Sequence, residues 1–444
     1  MGYVAVSGGE QAIAASLELL ERERVAGGRA LDPALIIEAM PHAVEQVQSE
    51  GSVWAPEVAA IALKQASGSI EEAVFLVRAY RSTLERLYTS RVIDTGEMHV
   101  SRRISAAFKD IEGGQILGAT RDYSHRLINF DLSEETDADV RAARAVIDER
   151  LDEAAEAFYG VAETTPLDCV PKVCDYLRQI GMIRPVAIDD TEPVDITKTP
   201  LFTPAPRSVI LQALSRGLTQ AVVAIGYAAI RGFGISHPTV GELRRGSVPM
   251  TIDAPGTDPS QASADDAYYL GALPVCEVES LIANDEVTET GEHVNALDVG
   301  YGLVTGSDES KAIAMSVLDH SLRVDDVRYP TQDQEFVLYH IDGVEATGFI
   351  SHLKLPHYVT FQSKLDAALR SMNHAEGQKE DGSRAAQLYL CLFGRGLQAR
   401  DSPRHLEGRR HSRIPGAVRQ PRDAHRPRLG YGWPAGHVVV HRSR

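Results

Sequence analysis

Cysteine is scarce in this sequence: its 444 residues include four, and no two of them form a C-x-x-C pair. Scattered thiols of this kind argue against a disulfide or iron–sulfur framework, so we expect reduced cysteines. Long apolar runs are also missing, because no stretch reaches the roughly 18 residues that a membrane span needs. The sequence does not open with a basic segment followed by an apolar one either, so we expect a cytoplasmic protein without a membrane segment.

A phosphate-binding P-loop is absent too, since no G-x-x-x-x-G-K-[ST] sequence occurs. Positive charge is in deficit: the formal net charge is -17, and residues 1–372 alone carry -25 (31 basic and 56 acidic residues). A protein with this large a negative charge binds nucleic acid poorly, so we expect no nucleic-acid partner. An anionic substrate would need a local basic pocket, which becomes the criterion for choosing candidate sites.

Apolar residues recur at helical spacing in the first part of the chain, whereas strand-like runs occur later, at 248–253 and 275–281. Pro41 predicts a break in a helix over 33–50, and Ser69 opens a capping box before another helix. We expect an α+β protein, with a helical N-terminal domain followed by a mixed α/β domain. The expected segments are the helical N-terminal domain (1–95), a basic, glycine-containing segment with helices (96–185), a linker (186–206), the mixed α/β C-terminal domain (207–372) and a tail (373–444).

The tail differs from the rest in composition. Residues 395–444 contain twelve arginines and no lysine, with many histidines, prolines and glycines and little periodicity. We expect this segment to be disordered or to be an out-of-frame extension.

Residues 99–130 concentrate positive charge in the acidic chain, and their glycines would let backbone amides approach a ligand. This combination suits phosphate or phosphonate oxygens. The alternative is a surface loop whose arginines pair with the acidic body or with a partner subunit. The candidate contacts are Arg102, Arg103, Lys109, His125 and Arg126.

A second polar, cationic loop spans residues 231–238, where Arg231 and His237 flank two glycines. It predicts another anion or ribose contact, or else a tight turn with incidental charge. Glu277 and Glu279 alternate on a predicted strand and could offer carboxylates to a sugar hydroxyl or an oxocarbenium ion, although paired surface glutamates are commoner.

The segment Gly300–Gly306 is spaced G-x-G-x-x-x-G, which differs from the dinucleotide fingerprint, and no clear βαβ unit surrounds it. We therefore expect no Rossmann fold here, and instead a turn before a capped helix that starts at Ser307.

Two histidines stand five residues apart, at His352 and His357, with Pro356 between them. Five residues place two side chains on one face of neither a helix nor a strand, so the rings converge only if the chain turns. We expect a helix that ends near Leu353, a turn, and a new helix from Tyr358. Two imidazoles make half of a tetrahedral zinc site. The alternative is that His352 suits a helix C-terminus and His357 is an ordinary turn residue.

This histidine segment resembles the C-terminal signature of the PhnI family, a core subunit of the bacterial carbon–phosphorus lyase machinery. Other stretches resemble the same family in order, from residue 3 to about residue 371. They are YVAVSGG (3–9), ALKQASG (62–68), RAYR (78–81), RRIS (102–105), KDIEGGQ (109–115), DYSHR (122–126), RGFGISHP (231–238) and GYGL (300–303).

The resemblance implies a transferase. Members of the family act with the PhnG, PhnH and PhnL subunits to displace adenine from MgATP by alkylphosphonate, which gives a ribose 1-alkylphosphonate 5-triphosphate. The subunit alone is associated with purine nucleosidase activity. Both reactions are substitutions at the ribose anomeric carbon through an oxocarbenium-like transition state, with phosphonate or water as the attacking group.

The resemblance also implies a zinc site at the contact with the PhnJ subunit, with His352 and His357 as ligands. PhnK belongs to the wider complex. The competing hypothesis is a non-catalytic scaffold that holds the other subunits and contributes zinc ligands at an interface.

Overall fold

The structure, a computed structural model, describes residues 9–120, 127–159, 171–183, 191–234, 237–256, 263, 266–287, 293–324 and 326–376. Within these residues lie thirteen α-helices and four β-strands. The helices are α1 (Gly9–Val25), α2 (Pro33–Ala39), α3 (Pro41–Gly51), α4 (Pro56–Gln65), α5 (Ile70–Ser82), α6 (Asp137–Tyr159), α7 (Val173–Gln179), α8 (Arg207–Arg216), α9 (Thr219–Ile230), α10 (Glu309–Ser321), α11 (Gln334–His340), α12 (Gly343–His352) and α13 (Tyr358–Glu376). The strands are β1 (His99–Ile104), β2 (Thr239–Asp253), β3 (Ala267–Val287) and β4 (His293–Thr305).

The chain forms two compact units. The first comprises residues 1–14 and 350–429, so its described part is the start of α1, the end of α12 and α13. The second comprises residues 15–349 and 430–444 and includes α2–α11 and the whole described sheet.

Proline and cap residues set the boundaries of the N-terminal helices. Proline begins α2, α3 and α4, where its missing N–H costs nothing and its fixed φ suits the helix. Pro41 therefore separates α2 from α3, which confirms the predicted break. The hydroxyl of Ser69 accepts a hydrogen bond from the amide of Glu72 at 3.4 Å and caps α5, which is the Ser69 half of the predicted capping box. Helices α2–α5 enclose a core of their own.

The four described strands form one antiparallel sheet in the order β1-β2-β3-β4. The runs predicted at 248–253 and 275–281 are parts of β2 and β3, which are both much longer. The sequence did not predict β1 or β4, because the arginines of β1 and the glycines of β4 are poor strand signals. The fold class is α+β, as expected.

Helix α10 packs on the sheet at close range. A Cβ atom at Gly302 of β4 would overlap the carbonyl oxygen of Ala312 of α10, so glycine permits this approach. Apart from an isolated parallel bridge between Leu297 and Ile183, strand β4 pairs antiparallel with β3, and it then leads into α10. The described residues around Gly300–Gly306 therefore form no βαβ unit, as expected. The helix cap is Asp308, one residue later than the sequence suggested.

The largest core joins α7–α11 to β3 and β4. In the described part of the chain, no single helix is long and apolar enough to cross a membrane. One helix pair, α8 with α9, meets that test together across a 119° bend. The tail from residue 377 lies outside the described residues.

Candidate functional site

Register divides the charged side chains of the sheet between its two faces. Arg103, Arg244 and Glu277 lie opposite one another on β1, β2 and β3, so they share one face. Their chain neighbours Arg102 and Arg245 point to the other side. We call the first side the carboxylate face and the second, on which α10 packs, the α10 face.

Arg103 is part of a buried ion pair on the carboxylate face. Its Nε contacts Glu242 Oε1, its Nη1 donates to the carbonyl of Glu112, and its Nη2 donates to the carbonyl of Pro171 at 3.0 Å. Glu242 Oε2 accepts from the amide of Val173 at 2.8 Å. The structure thus places this predicted phosphate contact inside the protein, where it ties β1 to β2 and to the start of α7.

Glu277 is the centre of the carboxylate face, with 1% of its surface exposed. Its Oε1 accepts hydrogen bonds from Thr95 Oγ1 (2.6 Å), Lys172 Nζ (2.7 Å) and Tyr301 OH (2.6 Å). Its Oε2 has no hydrogen-bond partner among the described residues and lies 4.0 Å from Arg244 Nη1. This carboxylate is therefore held as an anion between two cations.

The two glutamates of β3 have pKa values shifted in opposite directions. Burial acts to raise the pKa of Glu277, but Lys172 and the hydrogen bonds outweigh it, so this pKa is lowered. Burial, with the charge of Glu277, raises the pKa of Glu279, although Lys172 and Arg178 offset part of the rise. Arg178 Nη2 donates to Glu279 Oε1 at 3.3 Å. The environments of the two carboxyl groups thus move their pKa values apart, a pattern also found in acid–base pairs.

A cavity of about 780 Å³ opens on the α10 face. Glu309 stands in its wall between two arginines, 2.8 Å from Arg102 Nε and 3.3 Å from Arg245 Nη1. Arg102 is itself buried. The lining residues come from α3, a loop after β1, strand β2, the end of β4 with the loop that follows it, and the first turns of α9 and α10. They are His42, Glu45, Gln46, Ser49, Ala119, Thr120, Thr219, Gln220, Arg245, Thr305, Ser307, Asp308, Glu309, Ser310 and Lys311.

Lys311 belongs to this cavity wall, although only 1% of its surface is exposed. Its Nζ has no hydrogen-bond partner in the described part of the chain. Burial lowers the pKa of Lys311 to about 8, against the opposing charges of Glu50 and Asp308 and with a small contribution from Arg78.

The remaining predicted anion contacts lie apart from these groups or outside the described residues. Lys109, Arg231 and His237 are exposed. Arg231 lies over the ring of Tyr227 at 5.8 Å, and His237 Nδ1 lies 3.0 Å from the carbonyl oxygen of Pro238. The other two candidates, His125 and Arg126, fall on residues that the structure does not describe.

The histidine pair lies in the first unit and has the predicted geometry. Helix α12 ends at His352, a turn follows, and α13 begins at Tyr358. The two rings converge, with centroids 5.4 Å apart and planes at 61°.

The pair fits half of a zinc site. Two imidazoles that share a tetrahedral zinc ion through Zn–N bonds of about 2.0–2.1 Å have centroids roughly 5 Å apart. His357 Nδ1 lies 2.6 Å from the carbonyl oxygen of Leu355. A carbonyl can only accept, so Nδ1 carries the proton and Nε2 keeps the lone pair that a metal needs. Among the described residues, no group of three or more His, Cys, Asp or Glu could hold a metal, so further ligands would come from elsewhere.

Sequence comparison decides the family. Residues 2–376 match the family described as "Bacterial phosphonate metabolism protein (PhnI)". The chain belongs to the PhnI family. It is 40% identical over 374 residues to the alpha-D-ribose 1-methylphosphonate 5-triphosphate synthase subunit PhnI of Escherichia coli (strain K12), which covers 83% of this chain and 98% of that protein.

Two further PhnI relatives match over nearly their whole length. The subunit of the same name from Rhizobium meliloti (strain 1021) is 38% identical over 393 residues, 86% of this chain and 97% of that protein. A protein named HtxH from Stutzerimonas stutzeri is 41% identical over 386 residues, 85% of this chain and 98% of that protein.

Some PhnI-like stretches serve the fold. In the RAYR stretch, Arg78 Nη1 donates to both carboxylate oxygens of Asp342 at 2.8 Å, and Arg81 Nη1 donates to the carbonyl of Gly51 at 2.8 Å. These contacts join α5 to α3 and to the start of α12. Arginines in a family motif can therefore be structural rather than ligand-binding.

Sequence reasoning missed Lys172, Tyr301 and Lys311. Nothing local marks Lys172, since its role depends on Glu277, 105 positions away in the chain. Tyr301 lies in the GYGL stretch, but its contact with Glu277 follows from the pairing of β3 with β4. Lys311 did carry a signal, because a lysine in the first turn of a helix opposes the helix dipole.

Proposed function

We propose that this chain is the PhnI subunit of an alpha-D-ribose 1-methylphosphonate 5-triphosphate synthase, a transferase in phosphonate catabolism. The observation that carries the proposal is near-full-length similarity, at 38–40% identity, to two proteins that bear this name. In the reaction, a phosphonate oxygen forms a bond to the ribose anomeric carbon of MgATP, and the bond from that carbon to adenine breaks. Water in place of phosphonate gives the nucleosidase reaction of the subunit alone.

The anomeric carbon gains positive charge as adenine leaves, so a nearby anion would stabilise the transition state. Glu277, whose pKa is lowered, suits such a role better than Glu279, whose pKa is raised, but the two are only 1% and 4% exposed in this chain. We infer that both glutamates have a positioning role. They hold Arg244, Lys172 and Arg178 in fixed places on the carboxylate face. Direct contact with the sugar would require the surface to open.

Among the predicted anion contacts, Lys109, Arg231 and His237 are exposed, so they are the ones of this set that a phosphorus anion can approach from solvent. Arg102 and Arg103 are buried against Glu309 and Glu242. We infer that these two act through their partners, by orienting the strands that carry the site.

We also propose that His352 and His357 bind zinc at a contact with PhnJ. The convergent rings and the protonated Nδ1 of His357 support this assignment. The ion would orient a substrate or partner group there. PhnG, PhnH and PhnL are the partners expected in the synthase, with PhnK in the wider complex.

A scaffold role has support of its own. Phe349, Ile350, Val359 and Phe361 on α12 and α13 are each more than 60% exposed, and such apolar residues suit a protein interface. An enzyme subunit can also dock partners, so the two roles are separated by activity per assembled complex.

The test is adenine release from MgATP with and without methylphosphonate, using the full chain assembled with PhnG, PhnH and PhnL. Arg231→Ala/His237→Ala and Lys109→Ala are compared with Lys198→Ala, an exposed lysine outside the candidate set. If the candidates bind substrate, release falls while assembly, followed by size-exclusion chromatography, is unchanged. Unchanged release in both candidate variants would reject these contacts. Assembly lost with normal release per remaining complex would favour the scaffold.

A further inference from the structure

The cavity on the α10 face lies where two helices begin. Thr219 and Gln220 of α9 and Glu309–Lys311 of α10 all line it, so the first turns of both helices meet at one space. Helix N-termini present amide groups and the positive end of the helix dipole, which favours anions. The N-terminus of one helix alone would not be enough to indicate an anion site.

Lys311 supports an anion site independently of the helix N-termini. It is buried in the cavity wall without a hydrogen-bond partner among the described residues, and it sits in the first turn of α10, where the helix dipole disfavours a cation. A buried, unpaired ammonium costs stability, and proteins keep such features mainly at functional sites. An anion in the cavity would add to the countercharge that Glu50 and Asp308 already supply, and the low dielectric of the wall would strengthen the attraction.

The acidic residues of the wall already have donors. Glu45 Oε2 accepts from the hydroxyl of Ser307 at 2.5 Å, and Asp308 Oδ1 accepts from the amide of Lys311 at 2.9 Å. Glu309 is shared by Arg102 and Arg245. None of these carboxylates accepts a hydrogen bond from Lys311 Nζ among the described residues, although the charges of Asp308 and of the buried Glu50 act on it.

The lining also indicates which part of a ligand would fit. Hydroxyl and amide side chains dominate it, and the described lining holds no Phe, Tyr or Trp on which a purine could stack. A volume of about 780 Å³ exceeds the needs of a single phosphate.

We propose that this cavity binds the polyphosphate of a nucleotide, with Lys311 as its countercharge and the first turns of α9 and α10 as its cradle. The proposal rests on the proposed function and adds the place where the triphosphate of MgATP is held. The reacting sugar and the base then lie outside this polar cavity.

The test is calorimetric titration of the full chain with inorganic tripolyphosphate, ATP, adenosine and methylphosphonate. Lys311→Met keeps the length of the side chain and removes its charge. We expect its affinity for tripolyphosphate and ATP to fall at least about tenfold, and its melting temperature to rise because an unpaired buried charge is gone. Lys198→Met, at an exposed lysine, changes neither.

A second variant does not depend on Lys311. Gln220→Glu places a negative charge in the first turn of α9, which suits the helix but repels an anion in the cavity. We expect normal folding and weaker tripolyphosphate binding. If Lys311→Met loses both binding and stability, Gln220→Glu decides: weakened binding upholds the site, and unchanged binding overturns it.

Other outcomes are equally decisive. Wild-type affinity in Lys311→Met, or no tripolyphosphate binding by the wild type, overturns the proposal. Loss of methylphosphonate binding alone would assign the cavity to the phosphonate and overturn the proposal that it binds a polyphosphate.

Adenine release by the assembled complex distinguishes failure of the proposed cavity from failure of the proposed function. Normal release with a wild-type KM for ATP in Lys311→Met rejects the site but not the function, whereas a chain that binds tripolyphosphate through Lys311 without adenine release keeps the site and rejects the function.

Discussion

Lys172 Nζ lies 2.7 Å from Glu277 Oε1, in a buried contact between residues 105 positions apart in the chain. Both side chains also contact Thr95, so three separate segments meet at one carboxylate oxygen. Burial of these charges is tolerable only because each is paired.

Glu277→Gln should therefore be severely destabilising. The substitution keeps the shape but leaves Lys172 and Arg244 buried without their countercharge, so we expect a loss of about 3–5 kcal/mol in the free energy of unfolding. Urea denaturation at pH 7 measures it. Glu38→Gln, at an exposed position, should change stability by less than about 0.5 kcal/mol. A loss below about 1 kcal/mol for Glu277→Gln would contradict the ion-pair account.

The two glutamates should respond oppositely to pH. The pKa of Glu277 is lowered in the folded state, so its stabilisation is present above pH 4.5 and is lost as pH falls through the folded value. The pKa of Glu279 is raised, so ionising it costs stability as pH rises from 4.5 through the folded value.

Unfolding free energies between about pH 3 and about pH 8 test this pair, because the Glu277 effect lies below pH 4.5 and the Glu279 effect above it. The difference in unfolding free energy between Glu277→Gln and the wild type should become smaller at acid pH. The stability of Glu279→Gln relative to the wild type should increase as the pH rises. The wild type measured in the same buffers is the reference. Parallel trends in the two variants would show that the pKa values are not separated.

Two glycines should differ sharply when replaced by alanine. Gly302→Ala places a Cβ against the backbone of α10, so we expect a loss of about 3 kcal/mol or more, measured by denaturation. Gly348→Ala has open space around the new Cβ in α12 and should be neutral or stabilise by about 0.5–1 kcal/mol. Equal effects would mean that α10 does not approach β4 as closely as described.

Removal of either histidine of the pair should release zinc from the assembled complex with PhnJ. Loss of an outer-shell partner costs about 10–100-fold in metal affinity, so loss of His352 or His357 should cost at least as much. Elemental analysis of purified complexes measures the zinc content. His340→Ala removes an exposed histidine of α11 and should leave the content unchanged. Zinc retained in both His352→Ala and His357→Ala would exclude the pair as ligands.

Local sequence signals predicted the elements whose causes are local. Pro41 and Ser69 mark helix boundaries through backbone geometry and capping, and Pro356 turns the chain so that two histidines meet. Residues without such local causes were harder to interpret: Arg103 looks like an anion contact in the sequence, and its burial against Glu242 of β2 depends on strand pairing.

The α+β class, the N-terminal helices, the turn between the histidines and the resemblance to the PhnI family could all be inferred from the sequence alone. These follow from patterns within a few residues or from residue identities. Which charges are paired depends on tertiary contacts. Lys172 pairs with Glu277 across 105 residues, while Lys311, buried at the start of α10, has no hydrogen-bond partner among the residues that the structure describes. The physical reason is that pairing and desolvation depend on neighbours brought together by the sheet register and by the packing of α10, and no local pattern encodes those neighbours.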